Sequence, residues 1–327
     1  MAQAFFPIDP VEVTPGSTGW QDVNGADFGV PEGATGVLTH IVNTHASNTY
    51  ACGLRKNGST DTRTPNRRPA THCWSAIGVD DNRIFEANVG DTTSIDIYLI
   101  GYTKSGVTFF TNSYTKAPDA GDWEDVDCSE CPNAIGLIWE IIGHPWLVQD
   151  FGIRKNGSTD NRLGEVVSRH GFGAIIGCDS SQICEIYREN ALQNCYLVGY
   201  ITDGATFNTN GTDVSLSTIQ TWLDLTALPA TSVMGFIEVN CVTTGPNYYY
   251  GLRKNGSAEN IDQTSANHNW AFVECDASQI IEGKTITTDL DFFFIGYATA
   301  PAGEVTVGRL VYGGLVNSGL VGGKLIG

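Results

Sequence analysis

One heptapeptide, written three times, limits what this chain can fold into more than any other feature. Gly53-Leu54-Arg55-Lys56-Asn57-Gly58-Ser59 returns as Gly152-Ile153-Arg154-Lys155-Asn156-Gly157-Ser158 and again as Gly251-Leu252-Arg253-Lys254-Asn255-Gly256-Ser257, each time after 99 residues. That period is too long for a solenoid rung and is the size of a small domain. The chain therefore reads as three copies of one module, each large enough to bury its own core.

Other residues keep the same beat. Trp20, Trp123 and Trp222 open the copies, and His72, His170 and His268 follow the heptapeptide, each two residues before an aromatic ring. Asp80, Asp179 and Asp276 come next, then Glu86, Glu185 and Glu282, and each copy closes on a dense apolar strand such as Tyr98-Leu99-Ile100-Gly101-Tyr102. Arg-Lys-Asn-Gly-Ser predicts a strand running into a two-residue type I′ turn. Short β-rich runs separated by turn signals predict an all-β chain of three tandem antiparallel β-sandwich modules, jelly-roll or immunoglobulin-like. The motifs place the modules at residues 17–116, 117–213 and 214–299. Residues 1–16, with three prolines, read as an extended arm.

Residues 300–327 form a Gly-rich tail with apolar pairs every five residues: Leu310-Val311, Leu315-Val316, Leu320-Val321 and Leu325-Ile326. Four such rungs cannot enclose a core, so they need a partner surface. The expected partner is the same tail in sister subunits of a homo-oligomer, a trimer first, or another protein.

No catalytic motif accompanies the repeated histidines: GxSxG, HExxH and a phosphate loop are all missing. A residue present in every copy serves the fold, so His72, His170 and His268 are expected to be structural, and Arg of the heptapeptide to pair with the repeated Asp or Glu. No cofactor or metal is implied. Alignment on the heptapeptide puts Cys52, Cys178, Cys184, Cys195, Cys241 and Cys275 opposite apolar residues, as buried small hydrophobes. Cys73, Cys128 and Cys131 have no apolar counterparts, and a disulfide within the Cys128-Ser129-Glu130-Cys131 loop or to a neighbouring subunit is their expected special role. A lone CxxC lacks the remaining ligands of a zinc site. Trp139, Trp146, Tyr248 and Tyr249 are the candidate glycan contacts.

The net charge is −18, and an acidic surface repels phosphate backbones, which argues against nucleic acid as partner. No apolar run is long enough to span a membrane, and the first residues lack the basic start and apolar core of a signal peptide. Synthesis in a cytoplasm is expected.

The succession of Trp20, Gly-Leu-Arg-Lys-Asn-Gly-Ser-Thr-Asp, His72-Cys73-Trp74, Gly78-Val79-Asp80, Ile84-Phe85-Glu86 and Tyr98-Leu99-Ile100-Gly101-Tyr102 resembles repeat modules in virion-associated proteins of tailed bacteriophages. The likeness covers residues 17–299. The third copy departs from it with Ser257-Ala258-Glu259 and Glu274-Cys275-Asp276. The resemblance implies an external, oligomeric structural role as capsid decoration, collar, or head or tail fibre, located in the virion, and it carries over no catalytic residue. A serial, acidic set of β-sandwiches with a docking tail suits a self-assembling particle component on physical grounds too. The alternative is a multivalent adhesin that binds a host surface glycan.

Overall fold

The structure, a computed structural model, describes residues 2–241, 248–264 and 268–300. It is all-β, as expected, with one short 3-10 turn at Gly25–Phe28 among the described residues. Unit 1 contains β1 (Phe5–Glu12), β2 (Gly19–Asn24), β3 (Gly36–Asn43), β4 (Tyr50–Lys56), β5 (Asn66–Arg67), β6 (Thr71–Gly78), β7 (Ile84–Val89) and β8 (Ile95–Thr103). Unit 2 repeats the series as β9 (Val107–Thr115), β10 (Trp123–Asp127), β11 (Gly136–Ile142), β12 (Gln149–Lys155), β13 (Gly164–Val166), β14 (Gly171–Gly177), β15 (Ile183–Arg188) and β16 (Asn194–Ile201). Unit 3 runs β17 (Ala205–Asp213), β18 (Leu223–Ala227), β19 (Ser232–Cys241), β20 (Tyr249–Lys254), β21 (Gln263–Thr264), β22 (His268–Glu274), β23 (Ile280–Thr285) and β24 (Leu290–Thr299).

Sheet order selects between the two expected topologies. In each unit the first, eighth, third and sixth strands form one sheet, and the second, seventh, fourth and fifth form the other. That is the eight-stranded jelly roll. Strand β7 alternates buried and half-buried residues, as a strand with one covered face should. Every residue of β3 and β14 is buried, so these strands are covered on both faces. Their second cover comes from the neighbouring units.

This order corrects two boundaries. Residues 1–16 are not a free arm: β1 pairs with β8 from Phe5↔Thr103 to Glu12↔Tyr98, and Ala4, Phe5 and Val13 are buried. Pro7 and Pro10 are tolerated because β1 is an edge strand, where a missing N–H breaks no ladder. By the same logic Val107–Thr115 and Ala205–Asp213, expected at the ends of modules one and two, are the first strands of units 2 and 3.

The units form a ring. Strands β14 and β22 are edges of their sheets, whereas β6 is bridged to β21 and so joins a sheet of unit 1 to one of unit 3. Strands β6, β14 and β22 pack against one another, which covers them against pairing with other chains. Around them one contact recurs cyclically. The end of the fifth strand in one unit meets the start of the sixth strand in the next. Asn66 bridges His170 in parallel register, and Thr264 bridges Thr71. At the remaining junction Leu163 O accepts from Asn240 Nδ2 at 3.5 Å. A contact between two different surfaces propagates, and here three copies close it. The connections between units converge at one end: Lys104 N donates to Ala4 O, Thr202 N to Gly106 O, and Thr299 N to Gly204 O.

Candidate assembly interfaces

Within each unit the heptapeptide is a bracket. Arg55 forms a two-pronged ion pair with Glu86 across β4 and β7, Nε–Oε2 and Nη2–Oε1 both 2.8 Å, and Arg154–Glu185 and Arg253–Glu282 repeat it. Each guanidinium lies over the opening tryptophan of its unit, at 4.1, 4.1 and 4.0 Å from Trp20, Trp123 and Trp222. The turn asparagines Asn57, Asn156 and Asn255 donate to Asp80, Asp179 and Asp276. The turn is not type I′. Only its glycines have positive φ (+78°, +78° and +73°), and Ser59 N donates to Lys56 O at 3.0 Å, the type II pattern. The chain then leaves the sheet instead of doubling back, and Arg55 holds it by donating to Asp61 O at 2.7 Å.

What the bracket presents is a clamp on the next unit. Asn112 on β9 accepts from Ser59 Oγ at 2.9 Å and Thr60 N at 2.8 Å, while Asp61 Oδ2 accepts from Ser113 N at 3.0 Å. In the second junction Asn210 accepts from Ser158 Oγ and Thr159 N, and Asp160 from Gly211 N. A short way on, Arg63 Nε reaches Glu140 Oε2 at 2.7 Å and Arg162 Nη2 reaches Glu238 Oε2 at 2.7 Å. Burial pushes the Glu140 carboxyl up despite Arg63. Burial acts likewise on Glu238, but its bonds to His268 and Arg162 outweigh it and hold that carboxyl low. Sequence reasoning missed these four residues and the two asparagines. The readable signal was Glu140 and Glu238, single carboxylates inside apolar strands, which require a partner when buried.

The third junction departs from the pattern. Ile261 stands where Arg63 and Arg162 do, as its carbonyl against Gly251 matches theirs against Gly53 and Gly152. His40 pairs with Tyr98 as Glu140 does with Tyr196, so it takes the carboxylate's place. A cleft of about 440 Å³ remains, lined among others by Asp9, Pro10, Leu252, Lys254, Glu259 and Glu274.

The repeated histidines are fully buried at the junctions. His72 Nδ1 lies 2.9 Å from His40 Nε2, and its ring centroid is 4.4 Å from that of Tyr250 in unit 3. His268 sits between Phe151 O of unit 2 at 2.9 Å and Glu238 Oε1 at 3.0 Å. Burial holds His72 and His170 well below the usual imidazole range and lowers His40 to about 3. His72 and His268 thus serve the interfaces as hydrogen-bonding groups, and His170 as a packing group against Phe172.

All nine cysteines are buried and none is disulfide-bonded, which corrects the expectation for Cys73, Cys128 and Cys131. Cys131 N donates to Cys128 O in a tight turn that leaves both residues buried with no exposed surface, so neither can reach another chain. Cys73 lies in a different unit, on β6. No group of three or more His, Cys, Asp or Glu among the described residues is arranged to hold a metal ion.

Of the candidate glycan contacts, Trp139 is 1% exposed and cannot meet a ligand; it belongs to β11, which is covered on both faces. Tyr248 is half-buried, its hydroxyl 3.3 Å from Asp289 Oδ2. Trp146 is 70% exposed and Tyr249 40%. The tail residues Leu310, Val311, Leu315, Val316, Leu320, Val321, Leu325 and Ile326 lie outside the described residues.

No protein-family model matches the chain, and no curated protein matches it in sequence. Among solved structures it is similar to a chain of Sulfolobus Turreted Icosahedral Virus, with 9% identity, 91% of each chain covered and a TM-score of 0.23. A second similar chain comes from the triple jelly roll fold and turret assembly of an archaeal virus, with 8% identity, 91% of each covered and a TM-score of 0.22. A third is from the lipid-containing bacteriophage PM2, with 10% identity over 90% of this chain and 88% of that one and a TM-score of 0.16. Likeness at that level carries no argument about what this chain does.

Proposed function

We propose that this chain is a non-enzymatic structural component of a virion, as capsid decoration, collar, or head or tail fibre. The observation that carries this reading is the ring. Head-to-tail contacts between fifth and sixth strands, bridged at two junctions and unbridged at the third, close within a single chain, so the molecule is a pseudo-threefold block before any partner is met. The trimer expected of three chains has an internal counterpart here. Symmetric shells and fibres are built from such blocks, and the sequence resemblance points the same way.

The ring has two unlike ends. One carries residues 2–4, the inter-unit connections and residue 300; this end assembles with other virion proteins. The opposite end carries the loop of residues 143–148, in which Trp146, Leu147 and Val148 are 70%, 51% and 42% exposed. Immunogold labelling of purified particles with antibodies to the chain is expected to decorate their outside at regular positions. If the chain is abundant in infected-cell lysate but undetectable in purified particles by mass spectrometry, the reading fails.

Trp146 and Tyr249 support a second reading, in which the far end binds a host glycan. The loop at 44–49 of unit 1, which lacks a tryptophan, indicates sites that differ between units 1 and 2 rather than equal ones. A glycan array is expected to give signals that Trp146→Ala abolishes; signals indifferent to both Trp146→Ala and Tyr249→Ala would sink it.

A further inference from the structure

We propose that the cleft at the third junction is the seat of residues 301–327 of the same chain, whose Leu-Val pairs enter beside Leu252 and Phe272 and whose basic residues face Asp9 and Glu259. The other two junctions supply the starting point. There the first strand of the following unit lays a phenylalanine onto paired glycines: Phe109 on Gly36 and Gly78, Phe207 on Gly136 and Gly177. Asn112 and Asn210 then complete the clamp. At the third junction Pro7 occupies the register of these phenylalanines, opposite Gly101 as Phe109 is opposite Gly199. The second glycine is replaced by Glu274, which is tied to Lys254 at 2.7 Å. The space that results is the cleft.

Its chemistry fits the tail. Ile8, Ile100, Leu252 and Phe272 supply apolar wall, and Asp9, Glu259 and Glu274 outnumber the cations Lys254 and Arg253, the latter already paired with Glu282. Burial, with Asp9 and Glu274 nearby, pushes the Glu259 carboxyl up despite Arg253, and an incoming cation offsets that further. Residues 301–327 contain Arg309 and Lys324 against one acid, Glu304, so they are net basic in a chain of charge −18.

Position favours the chain's own tail over a neighbour's. Thr299 lies opposite Ser232, and Met234 separates Ala298 from Glu274 on the two neighbouring strands. Two strand spacings put the cleft wall roughly 10 Å from the point where the tail begins. Tethering at that range gives a local concentration that a second copy must exceed to compete. The inference does not rest on the virion reading; either can fail alone.

Amide hydrogen exchange on the full chain tests it. At least one pentad between residues 308 and 322 is expected to exchange about tenfold more slowly than an unstructured segment. Ala258→Trp, which fills the cleft mouth, and Asp9→Lys with Glu259→Lys, which reverse its charge, are each expected to abolish that protection. Exchange in β6, β14 and β22 serves as the control that the ring is folded. Fully unprotected pentads overturn the proposal, as does protection that both cleft variants leave intact. Protection that rises with protein concentration, alongside a doubling of mass in light scattering, assigns the seat to a second copy and also overturns it.

Discussion

At the scale of single residues, the interfaces depend on buried charge that is paired in some junctions and replaced in another. Glu238 is 2% exposed and has Arg162 on one oxygen and His268 on the other. Removing one partner strands the carboxylate in a low-dielectric site, which costs about 3–5 kcal/mol. Arg162→Ala is therefore expected to lower unfolding stability by about that amount in urea titration. The double variant Arg162→Met, Glu238→Leu is expected to recover most of it, because an apolar pair has no charge to desolvate. An equal loss in both variants would show that packing, not the ion pair, dominates. The third junction already uses the apolar choice, with Ile261 at the arginine position.

At the scale of elements, the repeated turn and the first strands show what short-range patterns can reveal. Asn-Gly marked a turn correctly, but its type depended on where the chain goes next, and that direction is set by the clamp on the following unit. Gly157 has φ +78° with nothing near a Cβ built on it. Gly157→Ala is thus expected to cost about 1–2 kcal/mol from backbone strain alone, read as a shift of the urea midpoint without change in its slope. No loss would mean the loop relaxes freely. The first strands were harder to read. Val107-Thr108-Phe109 and Ala205-Thr206-Phe207 share Thr-Phe and, two residues on, Thr-Asn, whereas Phe5-Phe6-Pro7 has neither, because β1 is an edge strand at a junction of different make-up. Because the first unit lacks that motif before Trp20, sequence alone puts β9 and β17 at the ends of the preceding modules and reads β1 as an arm.

At the scale of the whole molecule, the ring encloses His40, His72 and His170 at the junctions, and acid is expected to weaken it. Burial lowers His40 from 6.5 to about 3 and holds His72 and His170 below their ordinary value. Above pH 6.5 these imidazoles are neutral in both folded and unfolded chains, and no stability depends on them. As pH falls below 6.5 the unfolded chain binds protons that the folded ring refuses, so stability declines until pH reaches the folded values. For His40 alone the loss approaches about 5 kcal/mol at pH 3, at about 1.4 kcal/mol per unit. Lowered Glu238 adds to the loss below its own unfolded value, whereas raised Glu140 opposes it. Urea titrations at pH 7.5 and 5 are expected to show the decline, and His40→Gln a shallower slope. A pH-independent midpoint between those values would refute neutral burial of these rings.

Sequence alone determined the class, the repeat number and the bracket inside each unit. Arg-to-Glu pairing, the apolar closing strand and the burial of Cys52, Cys178, Cys184, Cys195, Cys241 and Cys275 are local or periodic properties, visible wherever one copy can be laid on another. Tertiary structure decided the topology, the phase of the units, the closure of the ring and the inaccessibility of Trp139, Cys73, Cys128 and Cys131. Those follow from contacts between residues far apart in the chain, such as Arg63 with Glu140 or Thr71 with Thr264. A periodic sequence fixes what each module is. Whether the modules extend in a line or close on themselves is set by the angle at which two unlike surfaces meet, and no residue pattern along the chain encodes that angle.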